Sequence, residues 1–243
     1  MQKTHLAFEA FADRWQTPIR ERCNNNQKTA VWYLWLRFLM ALRSLRHLER
    51  ANDLSGCYLV ARCCLECSVS LASVSQDATL ADDYMAYYDH AIMGQITEMR
   101  NGSPGDPDFD LMENIAKAKF GPNFPAKPKV KWDPGMRKLF EKAGRKSDYQ
   151  LYKWYCQMAH APISGLKIIA AEERLGPEYQ TSRCRMLLEL QTGSFVVSTG
   201  MLIDIAYGSL WTQEKQNCSD EFESVKALWV SHLKSSAVCT TYP

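Results

Sequence analysis

The feature that most constrains this chain is the spacing of its apolar residues, which recur at threes and fours along most of its length. Between Gln27 and Asn52 the rhythm is carried by Val31, Leu34, Trp35, Phe38, Leu39, Leu45 and Leu48, with Arg37, Arg43, Arg46, Glu49 and Arg50 in between. An apolar stripe of that period is one face of an α-helix and must be buried against another element. Alternating strand patterns are nearly absent, so the partner elements must themselves be helices. The spacing predicts a first helix over residues 4–23 and a break at Asn24, Asn25 and Asn26, then a second helix over 27–52. Asp53 opens a third helix to about residue 74, and the Gln76-Asp-Ala-Thr sequence caps a fourth over 80–99.

The pattern then breaks. Six of the ten prolines fall between Pro104 and Pro134, mixed with Gly102, Gly105, Gly121 and Gly135, which predicts loop around one short helix at 110–120. Helical spacing resumes over 135–143 and 148–161, where Pro162 ends it. It continues over 164–175, 179–210 and 220–235, with Gly193 and Gly200 as candidate break points in the longest of these. The expected fold is all-α: a helical bundle of about eight helices with a Pro/Gly-rich, basic central loop region. With 243 residues and no internal repeat, the chain reads as a single domain over 1–243 with a loop-rich basic excursion at about 101–135.

Composition removes several classes. A charged fraction of 23% and an aromatic fraction of 11% exclude a disordered tail, and a net charge of +2 excludes a globally basic nucleic-acid binder. The Met1-Gln-Lys-Thr-His-Leu start lacks the apolar core of a signal peptide, and nine cysteines show no paired framework. Reduced thiols in a cytoplasmic protein are expected. The apolar stretch 190–211 carries Asp204, three glycines and many hydroxyls, so it reads as a buried core helix and no membrane partner is expected.

Four groups of residues are candidates for function. Cys63, Cys64 and Cys67 form a Cys-x-x-Cys, but in mid-helix and without a second Cys or His pair at ligand spacing. They read as core, with no metal and no cofactor expected. Arg62 and Glu66 share one helix face at a separation of four, either as a buried pair or as a salt bridge on a solvated rim. The segment from Tyr149 to His160 sets Tyr149, Tyr152, Cys156 and His160 along one stripe, with His160 in the last turn before Pro162. There the helix dipole favours its charged form, suiting a base, an aromatic ligand or a phosphate; simple end-capping by the histidine is the alternative. Finally, ten basic residues lie between Lys117 and Lys146 against only Asp133 and Glu141, set against an acidic remainder. Lys127, Lys129, Lys131, Arg137 and Lys138, interleaved with Phe124, Trp132 and Phe140, are the candidate nucleic-acid contacts, because charge tracks phosphate while rings stack on bases.

Two separated pieces, the Arg62-x-x-x-Glu66 helix and the Tyr152-x-x-Tyr155-x-x-x-x-His160-Ala-Pro162 segment, together resemble a widespread all-helical bacterial family of unknown function. The resemblance spans roughly residues 31–210 and implies that Arg62, Glu66, Tyr155 and His160 converge in one pocket; it carries no chemistry with it. The neighbouring helical-bundle ribonucleases of the higher-eukaryote/prokaryote nucleotide-binding superfamily are marked by an arginine followed a few positions later by a histidine. That signature is absent, Arg43 and His47 being too close. Three readings stay open. The first is a binding or regulatory module, in a bacterial defence or stress setting, with a protein partner or an oligomer. The second is a metal-independent ribonuclease or nucleotide-processing enzyme using Arg62 and His160. The third is an RNA-binding protein working through residues 117–146.

Overall fold

The computed structural model describes residues 2–87, 107–120, 135–159, 163–209 and 212–238, all in helices or the short turns joining them. The all-α expectation holds. The elements are α1 (Gln2–Glu21), α2 (Asn26–Arg50), α3 (Leu54–Gln76), α4 (78–87), α5 (Pro107–Phe120), α6 (Met136–Lys142), α7 (Asp148–Ala159), α8 (Ile163–Glu173), α9 (Pro177–Tyr207) and α10 (Gln213–Val238). Most of the proline-rich excursion lies outside the described residues.

Local capping chemistry sets the first boundaries. The Asn25 side chain accepts from Lys28 N, Asp53 accepts from Gly56 N, and Asp77 accepts from Thr79 N and Leu80 N. Each satisfies a backbone donor that a helix start leaves unpaired.

Three helices form the centre: α2, α3 and α9 pack on one another. The aromatic ring of Phe195 on α9 is where the layers meet. It stacks on Trp35 (5.7 Å) and takes Phe38 (5.3 Å) and Phe8 of α1 (6.2 Å) edge-on. Trp35 Nε1 donates to Thr199 Oγ1 at 3.0 Å, so the buried indole leaves no donor orphaned. The helices α6, α7 and α8 cover one side of this centre, α7 against α3 and α8 between α7 and α9. On the other side α1 and α10 pair as an outer layer over α9.

Neither glycine breaks α9, which runs unbroken over 31 residues. The reason lies on α10. A Cβ at Gly193 would stand 4.0 Å from the Trp229 ring, and one at Gly200 would stand 3.6 Å from Phe222. Two aromatic rings seven residues apart pack along α9 at these positions, and that packing outweighs the poor helix propensity of the two glycines. Both α3 and α9 are long and apolar enough to cross a membrane by length and composition, but 72% and 56% of those windows are buried inside the fold.

Candidate functional site

The Arg62–Glu66 pair forms as the spacing requires. Arg62 Nε donates to Glu66 Oε1 at 3.0 Å, and the two side chains keep 23% and 25% of their surface exposed. The pair is therefore neither a buried ion pair nor a freely solvated one. What the spacing did not show is the third member. Tyr152 of α7 donates its hydroxyl to the same Glu66 oxygen at 3.1 Å, and the Arg62 guanidinium lies 5.8 Å from the Tyr152 ring centre. Behind Tyr152 the rings of Tyr149 (6.1 Å, stacked) and Phe140 (5.5 Å) complete an aromatic wall. Burial alone would lower the Arg62 pKa, but the Glu66 charge and then Cys156 and Tyr152 raise it, so the group is a permanent cation. Burial, with the nearby Cys156 thiol and Glu66 charge, pushes the Tyr152 hydroxyl up, which keeps it a proton donor at neutral pH.

Tyr155 turns elsewhere. It is fully buried, its ring 6.1 Å from that of Tyr58 on α3. Among the described residues its hydroxyl, Gln191 Oε1 and Trp154 Nε1 have no hydrogen-bond partner. Gln191 is near enough to influence the Tyr155 hydroxyl without meeting hydrogen-bond geometry, and burial dominates, pushing that hydroxyl up to about 12.

Beside Tyr155 lies a second arginine–glutamate–tyrosine set that no sequence spacing signals. The Tyr58 hydroxyl donates to the Glu172 carboxylate, its oxygen 3.0 and 2.8 Å from the two carboxylate oxygens, and accepts from Arg183 Nε at 2.9 Å. Arg183 stands 3.7 Å from Glu172, and Tyr179 donates to the same carboxylate at 3.3 Å. The carboxylate is almost wholly buried, and it is tolerated because three partners supply donors and a counter-charge. Thus α3 carries two such sets, Arg62–Glu66–Tyr152 facing α7 and Tyr58–Glu172–Arg183 facing α8 and α9.

His160, Lys127, Lys129 and Lys131 lie outside the described residues. Arg137 and Lys138 are exposed on α6, Arg137 bonded to Glu141 at 3.2 Å. Lys146 and Lys153 are also exposed, and Lys142 pairs with Asp77. Arg145 clamps the α6–α7 turn: it bonds Asp148 at 2.7 Å, Ser68 of α3, and Ser194 of α9 at 3.4 Å.

Of the Cys-x-x-Cys residues, Cys64 and Cys67 are buried and Cys63 half-buried, and the eight described cysteines are free thiols. Among the described residues no three His, Cys, Asp or Glu side chains gather to hold a metal ion. An open groove of about 380 Å³ runs between α9 and α10, floored by Val196, Gly200 and Phe222; none of its lining residues belongs to either arginine set.

The arrangement is that of an all-helical protein whose conspicuous polar features are arginines fixed in place by carboxylates and tyrosine hydroxyls. The chain belongs to a family of unknown function, DUF5677, whose model matches residues 28–174, from the first turn of α2 to just past α8. No curated protein and no solved structure matches it.

Proposed function

We propose that the protein is a cytoplasmic helical binding module that takes a phosphate-bearing ligand, an RNA or a nucleotide, on the face formed by α3, α6 and α7. The observation that carries this reading is Arg62. Its guanidinium is partly exposed and held at a set angle by Glu66 and the Tyr152 ring. A fixed planar guanidinium is what two-point recognition of a phosphate needs, and its orientation is secured before the ligand arrives. The Glu66 carboxylate reduces the net charge on offer, and on this reading the cations of α6 and α7, helices packed on α3, supply the rest. Of the cations between Gly135 and Ala159, Arg137, Lys142 and Arg145 are paired with Glu141, Asp77 and Asp148, while Lys138, Lys146 and Lys153 are exposed.

The test is the fluorescence anisotropy of a labelled single-stranded RNA titrated with protein at several salt concentrations. Affinity falls linearly with salt on logarithmic axes, and Lys138→Gln with Lys146→Gln flattens the slope by roughly 0.7 per lost phosphate contact. Arg62→Gln weakens binding without unfolding the chain. Affinity indifferent both to salt and to these variants would remove the proposal. RNA turnover by the wild-type chain that vanishes in His160→Ala would replace the binding module with a ribonuclease.

A further inference from the structure

The outer helix α1 is held down by an unusual seam. Its buried face is Phe8, Phe11, Ala12, Trp15 and Ile19, an apolar stripe at helical spacing, continued toward the N-terminus by Thr4 and His5. His5 is only 4% exposed. Its Nε2 lies 3.5 Å from Thr192 Oγ1 on α9. The single Thr192 hydroxyl proton is already donated to Leu188 O at 2.7 Å, so the threonine oxygen is left as an acceptor and His5 carries its proton on Nε2. A second proton would have to enter on Nδ1, making a buried cation.

Every element packed against His5 brings charge to that question. From α2 comes Arg46, bonded to Glu9 of α1 at 2.6 Å. From α10 comes His232, which lies 3.3 Å from Glu189 of α9. Among the described residues Glu9 is the acid that acts on His5 directly.

We propose that α1 is an acid-released clasp: protonation of His5, buried against Thr192 of α9, lifts α1 from α9 and α10 and bares the apolar face beneath Phe8 and Phe11. The rest of the bundle, centred on α2, α3 and α9, stays folded through the same change. Burial first, and the Arg46 charge second, depress the His5 pKa from 6.5 to about 4, with Glu9 opposing. A histidine kept neutral by folding contributes stability that is whole above its unfolded pKa. That contribution is lost as pH falls from 6.5 toward 4. Most carboxylates titrate lower, so the interval from pH 7 to 5.5 leaves them aside, and His5→Gln separates His5 from the chain's four other histidines.

The experiment is hydrogen exchange of the full chain, read by mass spectrometry on α1 peptides and corrected for intrinsic rates. Linkage to a pKa of about 4 from 6.5 makes α1 open about tenfold more often at pH 5.5 than at pH 7, with α3 and α9 peptides unchanged. His5→Gln abolishes that pH dependence. Arg46→Met works in the opposite sense to simple damage: with Glu9 left beside the imidazole, release moves to lower pH even though a salt bridge has been lost. His232→Gln shifts it the same way by less. An α1 whose protection is constant from pH 7 to 5.5, or falls equally in His5→Gln, overturns the clasp. So does an Arg46→Met chain that releases α1 at higher pH.

Discussion

Glycine 165 offers a sharp test of how α8 is seated. It lies three residues into α8, where a Cβ would stand 2.2 Å from the Gln157 carbonyl oxygen of α7 and 3.1 Å from the carbon of the same carbonyl. Real contacts of this kind stay near 3 Å or beyond, and the obstacle is backbone, which has no rotamer to yield. Gly165→Ala therefore has to push α8 off α7 by most of an ångström. Overpacking of that order costs about 1–3 kcal/mol, and the better helix propensity of alanine returns about 1 kcal/mol at most. A backbone obstacle puts the cost in the upper part of that range, about 2–3 kcal/mol, so the net expectation is a loss of roughly 1–2 kcal/mol, or about 2–8 °C in Tm for a chain of this size. The same substitution in α9 must go the other way. At Gly193 and Gly200 the new methyl meets aromatic rings at 4.0 and 3.6 Å, an ordinary contact, so each gains about 1 kcal/mol of helix propensity. Thermal unfolding followed by circular dichroism, on all three variants side by side, is the assay. A Gly165→Ala protein as stable as wild type, or Gly193→Ala and Gly200→Ala proteins that lose stability to the same degree, would refute this account of the α7–α8 and α9–α10 crossings.

Other consequences are equally open to measurement. Arg145→Lys keeps the charge but cannot reach Asp148, Ser68 and Ser194 together, and urea unfolding should show a loss of about 1–2 kcal/mol. Tyr58→Phe leaves Arg183 Nε and the buried Glu172 carboxylate each short of a partner; a cost of about 2 kcal/mol is expected in the same assay, whereas Tyr179→Phe costs less because its bond is longer and nearer the surface. Burial pushes the Cys67 and Cys218 thiols up to about 12, so both should stay unlabelled by iodoacetamide at pH 8 in the folded chain and react once urea is added, as read by mass spectrometry.

What could be read from the sequence, and what could not, divides along the distance over which each feature is decided. Asp53 and Asp77 mark helix starts because a cap is settled within three residues, and both cap as their positions suggest; Asn25, read only as part of a break, caps α2 in the same way. The Arg62–Glu66 bond was legible for the same reason. The continuity of α9 was not, because what admits Gly193 and Gly200 is a pair of rings on α10. Nor was the role of Tyr152, whose stripe along α7 was visible but whose partner lies 86 positions away. Tyr58 sits 114 positions from Glu172 and 125 from Arg183, beyond any spacing argument. One clue was present: Glu172 continues the buried stripe of Gly165 and Ile169, and a carboxylate on an apolar face needs partners.

The second arginine set also bears on where this fold can be cut. The family match closes at residue 174, two positions after Glu172 and nine before Arg183, so its boundary runs through the middle of an ion cluster. A fragment ending there would keep the buried carboxylate and lose the cation that balances it. The same fragment would lose α9, stripping the covering helix from both α2 and α3. In this fold the segment matched by the family leans on a helix lying beyond its own edge, and a fragment ending there is expected to be less stable than the full chain.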